Sequence, residues 1–74
     1  MYYMTETQPN YGYNSRRAVK LNSETLQKAR LEAVEKQFFK GTVIYIGEKI
    51  DFAGFLANAI CEYRNGKWKK VQGI

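Results

Sequence analysis

The fold is decided by residues 23–46, SETLQKARLEAVEKQFFKGTVIYI, in which a helix-forming segment runs directly into a β-branched one. From Ser23 to Phe38 the chain contains no Gly or Pro, and residues with high helix propensity dominate. Asn22 or Ser23 can cap the first turn, where the helix dipole also favours the carboxylate of Glu24. The stretch therefore predicts one helix that begins at Asn22 or Ser23 and continues past Phe38.

The inner face of this helix is narrow and built from small side chains. At about 100° per residue, Leu26, Ala29 and Ala33 fall on one line. The opposite arc is charged and carries Lys28, Glu32, Glu35 and Lys36. Two alanines on the inner line predict a helix that lies close against a sheet.

A second apolar stripe on the helix, formed by Leu31, Val34 and Phe38, is displaced from the first by more than about 100°. A wide core-facing stripe can include Val34 and Phe38, but Leu31 is harder to bury on the same sheet. We expect the loops around Phe52 and Phe55 to cover Leu31, and contact with a partner or with a second copy is the alternative.

Downstream of the helix the pattern is that of a β-sheet. Lys40-Gly41 is predicted to end the helix, because Gly readily adopts the left-handed conformation found there. Thr42–Ile46 is β-branched and aromatic, and Gly54–Arg64 is predicted to be a long strand. Asn65-Gly66 is a strong signal for a two-residue hairpin turn, which would set Tyr63 opposite Trp68.

Upstream of the helix the chain predicts two short strands, Tyr2–Gln8 and Arg16–Leu21, joined by a loop over residues 9–15 that is rich in Asn and Gly. These strands are expected to pair as an antiparallel hairpin. Residues 1–74 are therefore predicted to form a single α+β domain in the order ββαβββ, a twisted antiparallel sheet of about five strands with one helix packed on one face.

The composition argues against an enzyme. The chain has no His, which removes the commonest general base and zinc ligand, and a single Cys, which excludes an internal disulfide. The carboxylates are scattered, and Cys61 has no His to activate it, so we expect it to be a small core residue. No catalytic site, metal or cofactor is predicted.

The same composition favours a soluble, cytoplasmic binding protein. No apolar run reaches the roughly 18 residues that cross a bilayer. The N-terminal residues Met1–Glu6 lack the basic and apolar regions of a signal peptide. Twelve Lys and Arg against seven Asp and Glu give a net charge of +5 over 74 residues.

The basic residues form two clusters that have aromatic neighbours. The last hairpin carries Arg64, Lys67, Lys69 and Lys70 beside Tyr63 and Trp68, and the first carries Arg16, Arg17 and Lys20 after Tyr11 and Tyr13. Cations interleaved with aromatics suit single-stranded nucleic acid, whereas lysines also keep strand edges from pairing with other chains. A third interpretation is contact with a protein–nucleic-acid assembly, in which the basic residues of the last hairpin assist docking by long-range attraction, namely Arg64, Lys67, Lys69 and Lys70.

Two successive aromatics at the end of the helix form a candidate contact site. Phe38 and Phe39 point about 100° apart on a helix, so they cannot share one packing direction. Phe39 lies nearly opposite the midpoint of the apolar arc, and an exposed aromatic beside Lys40 is typical of an interface anchor. The alternative is that the helix ends before Phe39 and that the chain turns this ring inward.

Residues 23–43 also resemble a known family. The matching residues are Ser23, Leu26, Ala29, Arg30, Ala33, Gln37, Phe39, Gly41, Thr42 and Val43. In this spacing they are similar to a stretch of the type I-F anti-CRISPR proteins of family nine, which are small phage-derived inhibitors of the Csy surveillance complex. Nearly the whole chain also resembles the family in its order of elements, including a basic final hairpin with a Trp.

The resemblance implies a ββαβββ fold and binding rather than chemistry. Family members grip the Cas backbone subunits along the guide RNA of a type I complex in the host bacterial cell, and so interfere with target-DNA recognition. The resemblance places partner contact at Gln37, Phe39 and Lys40, and it matches Arg30 to a basic position of the family helix. Two neighbouring basic positions are Leu31 and Glu35 here, and the Trp of the hairpin stands one residue earlier than in the family.

Two other functions stay open from the sequence. One is a small basic domain that binds single-stranded nucleic acid, for which salt-dependent binding to free DNA or RNA is expected. The other is a protein that sequesters a signalling nucleotide, which needs a homodimer to enclose its pocket. The main hypothesis expects a monomer or weak dimer with no membrane contact and at most auxiliary contact with nucleic acid.

Overall fold

Six elements make up the fold in the computed structural model, which describes residues 1–71. They are β1 Tyr3–Thr7, β2 Val19–Lys20, α1 Leu26–Glu35, β3 Val43–Gly47, β4 Cys61–Arg64 and β5 Lys67–Lys70. The strands form one antiparallel sheet in the order β2-β1-β3-β4-β5, and α1 packs on β3. The predicted α+β fold with a five-stranded antiparallel sheet and one helix is confirmed.

The main core lies between α1 and the sheet. Ala29 and Ala33 have no exposed surface, and their small side chains let α1 lie against Ile44 and Ile46 of β3. The inner line predicted for the helix is therefore confirmed. Cys61 belongs to the same buried cluster, as expected of a small core residue, together with Met4 and Leu21.

The opposite face of the sheet is covered by loops. Val43 and Tyr45 of β3 pack there on Leu56, which comes from the segment between β3 and β4. The segment between β1 and β2 contributes Tyr13, whose ring meets that of Tyr45 edge-on with centroids 6.0 Å apart. Because both faces of the sheet are covered, every residue of β3 is buried, which explains its continuous apolar sequence.

The helix begins later than predicted. Thr25, rather than Asn22 or Ser23, caps α1, and its hydroxyl accepts the N–H of Lys28 at 3.3 Å. Asn22 and Ser23 instead donate their backbone N–H groups to the carboxylate of Glu32 at 2.9–3.0 Å. These bonds fold the entering chain back along the helix, so the residues expected to cap it are used elsewhere.

The helix also ends earlier than predicted, at Glu35 instead of Lys40-Gly41. Gly41 has a φ of 81° as expected for a left-handed glycine, but it lies in the turn that leads into β3 and not at the helix terminus. The cause of the early end is a contact from β1, described below with the residues around Phe38.

Leu31 is exposed over 65% of its surface, so the prediction that loops around Phe52 and Phe55 cover it is wrong. The loop that carries these two residues packs through Leu56 on the sheet face opposite α1. It therefore cannot reach the outer side of the helix. Of the second apolar stripe, only Val34 packs against the core.

The predicted strand over Gly54–Arg64 forms only from Cys61, where β4 begins, and the prediction is wrong for the residues that precede Cys61. The preceding residues form an irregular loop, in which two side chains accept backbone N–H groups. Asn58 accepts those of Glu48 and Lys49, and Asp51 accepts those of Ala53 and Phe55. Such side-chain acceptors compete with strand pairing for the backbone donors.

The second strand is shorter than the predicted Arg16–Leu21. Its ladder with β1 pairs Val19 with Met4 and Lys20 with Tyr3. The chain leaves β1 before Val19, because the N–H of Ala18 donates to the carbonyl of Gly54 at 2.7 Å. The predicted antiparallel hairpin is confirmed, but β2 covers β1 no further than Met4.

The final hairpin forms as predicted. Asn65 and Gly66 have φ values of 55° and 76°, the positive pair that a type I′ turn requires. Tyr63 lies opposite Trp68 in the ladder of β4 and β5, and their ring centroids are 5.0 Å apart. The register follows directly from this two-residue turn.

Candidate docking surface

One carboxylate ties the segment after α1 to β1. Glu6 accepts the N–H groups of Phe38 at 2.8 Å and Phe39 at 2.7 Å, and it also accepts the hydroxyl of Thr42 at 2.6 Å. Bonds to this carboxylate compete with helical bonding of the two amides to the preceding turn. Glu6 therefore accounts for the early end of α1 and holds the backbone of both phenylalanines.

The environment of Glu6 keeps it ionised. Partial burial by itself raises the pKa of Glu6, but the hydrogen bonds from Thr42, Phe38 and Phe39, with Arg16 nearby, outweigh burial and hold the pKa below its ordinary value. The anchor is consequently a carboxylate at neutral pH, when its hydrogen bonds are strongest.

Phe38 and Phe39 form one exposed aromatic surface, here called the Phe ledge. Phe38 is exposed over 82% of its surface and Phe39 over 53%. Their ring centroids are 4.9 Å apart with the planes tilted by 58°, so the rings pack on each other. The helix ends before Phe39, but this ring is exposed, as expected of an anchor. Phe38 was expected in the second apolar stripe, and it is even more exposed than Phe39.

A groove of about 560 Å³ lies beside the Phe ledge. Its apolar lining includes Val19, Phe38 and Phe39, and its cations are Arg16, Arg17 and Lys36. Val19 is itself 55% exposed. The groove combines an apolar wall with positive charge, which is a composition suited to binding.

The cations of the groove differ in how far they are already paired. Lys36 forms an ion pair with Glu32 at 3.0 Å, one helical turn earlier. Arg16 and Arg17 have no ion pair and no side-chain hydrogen bond within residues 1–71. These two guanidinium groups are therefore the charges that an incoming ligand meets.

Arg30, matched to a basic position of the family helix, is held inside the fold. Its guanidinium lies 5.6 Å from the ring centroid of Trp68, in a cation–π contact above β5. Its Nε is buried without a partner among the described residues. Burial raises the pKa of the Cys61 thiol, and the nearby positive charge of Arg30 partly offsets that effect. The structure thus places Arg30 over β5 rather than at the Phe ledge.

Gln37 and Lys40 line a second recess, of about 430 Å³, together with Arg64. The Gln37 amide donates to the hydroxyl of Thr42 at 3.1 Å. Arg64 pairs with Glu62 at 3.3 Å and donates more weakly to the hydroxyl of Tyr45 at 3.4 Å. Three of the predicted contact residues are therefore brought together, but in a recess that shares no lining residue with the groove.

Lys67 and Lys69 lie exposed on β5, the edge strand of the sheet. Lys69 is opposite Glu62 in the ladder. The aromatics between these lysines are not free, because Tyr63 and Trp68 pack on each other and against the core. The arrangement resembles edge protection more than a stacking platform.

The sequence does not reveal Glu6 as an organising residue or Val19 as part of the surface. It indicates a basic cluster that contains Arg16 and Arg17, but not the proximity of this cluster to Phe38 and Phe39. The available signal was weak, consisting of a Glu within a strand of aromatic and Thr residues and an apolar residue beside two arginines.

Among residues 1–71, no three His, Cys, Asp or Glu side chains converge as a metal site would need. Within the same part of the chain, no helix is long and apolar enough to cross a membrane. None of the protein-family models scanned matches the chain, and a search of curated proteins finds no match either.

Proposed function

We propose that this protein is a non-enzymatic inhibitor that docks through the Phe ledge on a protein subunit of a nucleic-acid-binding bacterial immune complex and interferes with target-DNA recognition. The observation that carries the proposal is the exposure of two adjacent aromatics on a backbone held by Glu6. Aromatic anchors concentrate binding energy at protein interfaces.

The rigidity of the Phe ledge supports docking rather than incidental exposure. Three hydrogen bonds to Glu6 hold the turn, and the two rings pack on each other before any partner arrives. A contact surface that is already ordered loses less conformational entropy on binding. The rings of Phe38 and Phe39 are exposed to water and contribute little to the core, so their exposure is better explained by contact with a partner.

The class of partner is suggested by the resemblance of residues 23–43 to the type I-F anti-CRISPR proteins of family nine. Phe39 is among the residues that carry this resemblance, and it lies in the Phe ledge. The partner is accordingly a Cas backbone subunit of a type I surveillance complex. The net charge of +5 favours approach to an assembly that carries guide RNA.

Direct binding of single-stranded nucleic acid is less well supported as the main function. Such binding needs aromatic faces that are open beside cations. On the last hairpin, Trp68 lies against Tyr63 and beneath Arg30. The lysines there can still attract a nucleic-acid-bearing complex at long range, which makes nucleic acid an auxiliary contact.

The proposal is tested by measuring binding of the chain to a purified Csy surveillance complex. Phe39→Ala is expected to weaken binding by more than about 2 kcal/mol, or roughly 30-fold, with little change in stability. Phe52→Ala is the matched control, because Phe52 is a fully exposed phenylalanine on a different loop. Equal weakening by both variants, or binding of free oligonucleotide in place of the complex, would contradict the proposal.

A further inference from the structure

The outer edge of β1 is open where β2 stops. The N–H of Leu21 donates to the carbonyl of Tyr2 at 2.8 Å, and Val19 pairs with Met4 two residues along. Backbone groups in an antiparallel ladder alternate in direction, so those of Glu6 point to the same edge as those of Tyr2 and Met4. Within residues 1–71, no strand pairs with Glu6 on that edge.

The groove beside the Phe ledge lies at this open edge. Its lining includes Glu6 and its neighbour Thr5 from β1, Val19 from the end of β2, and both rings of the Phe ledge. A backbone that can still pair and an apolar wall therefore occur together. This is the combination used when a peptide adds a strand to an existing sheet, with main-chain bonds for affinity and side-chain pockets for specificity.

We propose that this edge receives an extended segment of the partner, which adds as a strand beside Glu6 and has the alternating sequence acidic–apolar–acidic. The inference rests on the proposed function and names the part of the partner that the Phe ledge binds.

The apolar position of the segment follows from the direction of Glu6. The Glu6 side chain points to the α1 side of the sheet, where it binds Phe38 and Phe39. Directly opposite residues of paired strands place their side chains on the same face. The residue opposite Glu6 therefore faces the Phe ledge, and an apolar side chain fits there.

The acidic positions follow from the direction of Thr5. Side chains alternate along a strand, so Thr5 points to the opposite face, where its hydroxyl donates to the carbonyl of Arg16 at 3.3 Å. The flanking residues of the added segment project to this same side, beside the backbone of Arg16, and acidic side chains there complement the positive charge that Arg16 and Arg17 give to the groove. The one acid in the groove, Glu6, is already bound by three donors and leaves the positive charges dominant.

The test is an amide chemical-shift titration of the chain with a short capped peptide whose core is Asp-Leu-Asp. Shifts are expected at Glu6, Val19 and the Phe ledge. In an antiparallel added strand, the N–H of the central Leu faces the Glu6 carbonyl, so its N-methylation should weaken binding about tenfold. N-methylation of the next residue should have little effect because that N–H points outward.

Variants of the chain separate charge recognition from general electrostatics. Arg17→Glu should weaken peptide binding by more than about tenfold, while Lys49→Glu makes the same charge change on an exposed loop and should weaken it much less. Equal effects of the two variants would overturn the inference. It would also be overturned if a peptide of the same composition, with its acidic residues adjacent instead of alternating, bound as tightly as the Asp-Leu-Asp peptide.

The outcomes also separate this inference from the proposed function. Binding of the intact immune complex without binding of the alternating peptide would overturn the inference and leave the function standing. A single-stranded oligonucleotide that produces the same shifts at lower concentration than the peptide would overturn the inference as well. Peptide binding that requires both the central N–H and Arg17 would support it.

Discussion

Replacing Glu6 with Ala removes the carboxylate that joins β1 to the end of α1. The hydroxyl of Thr42 loses a part-buried hydrogen bond to a charged group, worth about 1.5 kcal/mol. The amides of Phe38 and Phe39 lose exposed bonds that water can replace, so each is worth about 0.5 kcal/mol. We therefore expect the free energy of unfolding to fall by about 2.5 kcal/mol.

This loss is measured by urea unfolding, followed by the fluorescence of Trp68. The midpoint should fall at an unchanged slope, and the melting temperature should drop by roughly 10–20 °C for a domain of this size. Glu35→Ala is the matched control, because Glu35 is exposed and has no ion pair or side-chain hydrogen bond within residues 1–71. We expect Glu35→Ala to change the free energy of unfolding by no more than about 0.5 kcal/mol.

The pH dependence of stability gives a second check on Glu6. Its pKa in the folded protein is lowered from 4.5, so its contribution is present above about that pH and is lost as the pH falls through the lower folded value. Glu6→Ala should therefore flatten the acid limb of the stability curve. Equal stabilities of the Glu6 and Glu35 variants at neutral pH would refute the role of Glu6 as an anchor.

Three further predictions concern the hairpin, the basic edge and the helix entry. Gly66→Val should cost more than about 1 kcal/mol, because a β-branched residue resists a φ of 76°, and an unchanged melting temperature would exclude this turn as a source of stability. Charge reversal at Lys67 and Lys69 should slow association with the immune complex and weaken its salt dependence; a change confined to the dissociation rate would instead identify buried contacts. The backbone N–H of Asn22, with other donors, lowers the pKa of Glu32 from 4.5 to about 2, so its stabilisation is present above about pH 4.5 and lost toward pH 2. Acid titration of Glu32→Gln should lack that loss, and an acid limb identical to that of the parent would contradict the assignment.

Local patterns were sufficient for the elements whose geometry depends on neighbouring residues. The positive φ values of Asn65 and Gly66 follow from residue type, and the pairing of Tyr63 with Trp68 follows from the length of that turn. The burial of Ala29 and Ala33 likewise follows from helical periodicity. In each case the residues that determine the geometry are close together in sequence, so no distant contact had to be known.

The Phe ledge could not be predicted in full because a distant residue determines its conformation. Helix propensity extends to Phe38, but Glu6, which lies 32 positions away in sequence, takes the amide that would continue the helix. The strand predicted over Gly54–Arg64 failed for a similar reason, since the side chain of Asn58 within it accepts the backbone N–H groups of Glu48 and Lys49 from the preceding turn. Side-chain acceptors of this kind leave no periodic trace in the sequence.

The burial of Cys61 makes the labelling rate of its thiol a measure of local opening in the sheet. The chain has one thiol, none of its surface is exposed, and burial raises its pKa, so a thiol reagent must wait for β4 to separate from α1. The labelling rate, divided by that of an unstructured cysteine peptide, gives the equilibrium for that opening event. Local stability at the centre of the sheet can thus be read by mass spectrometry from the unmodified sequence, even when a bound partner hides the change in fluorescence.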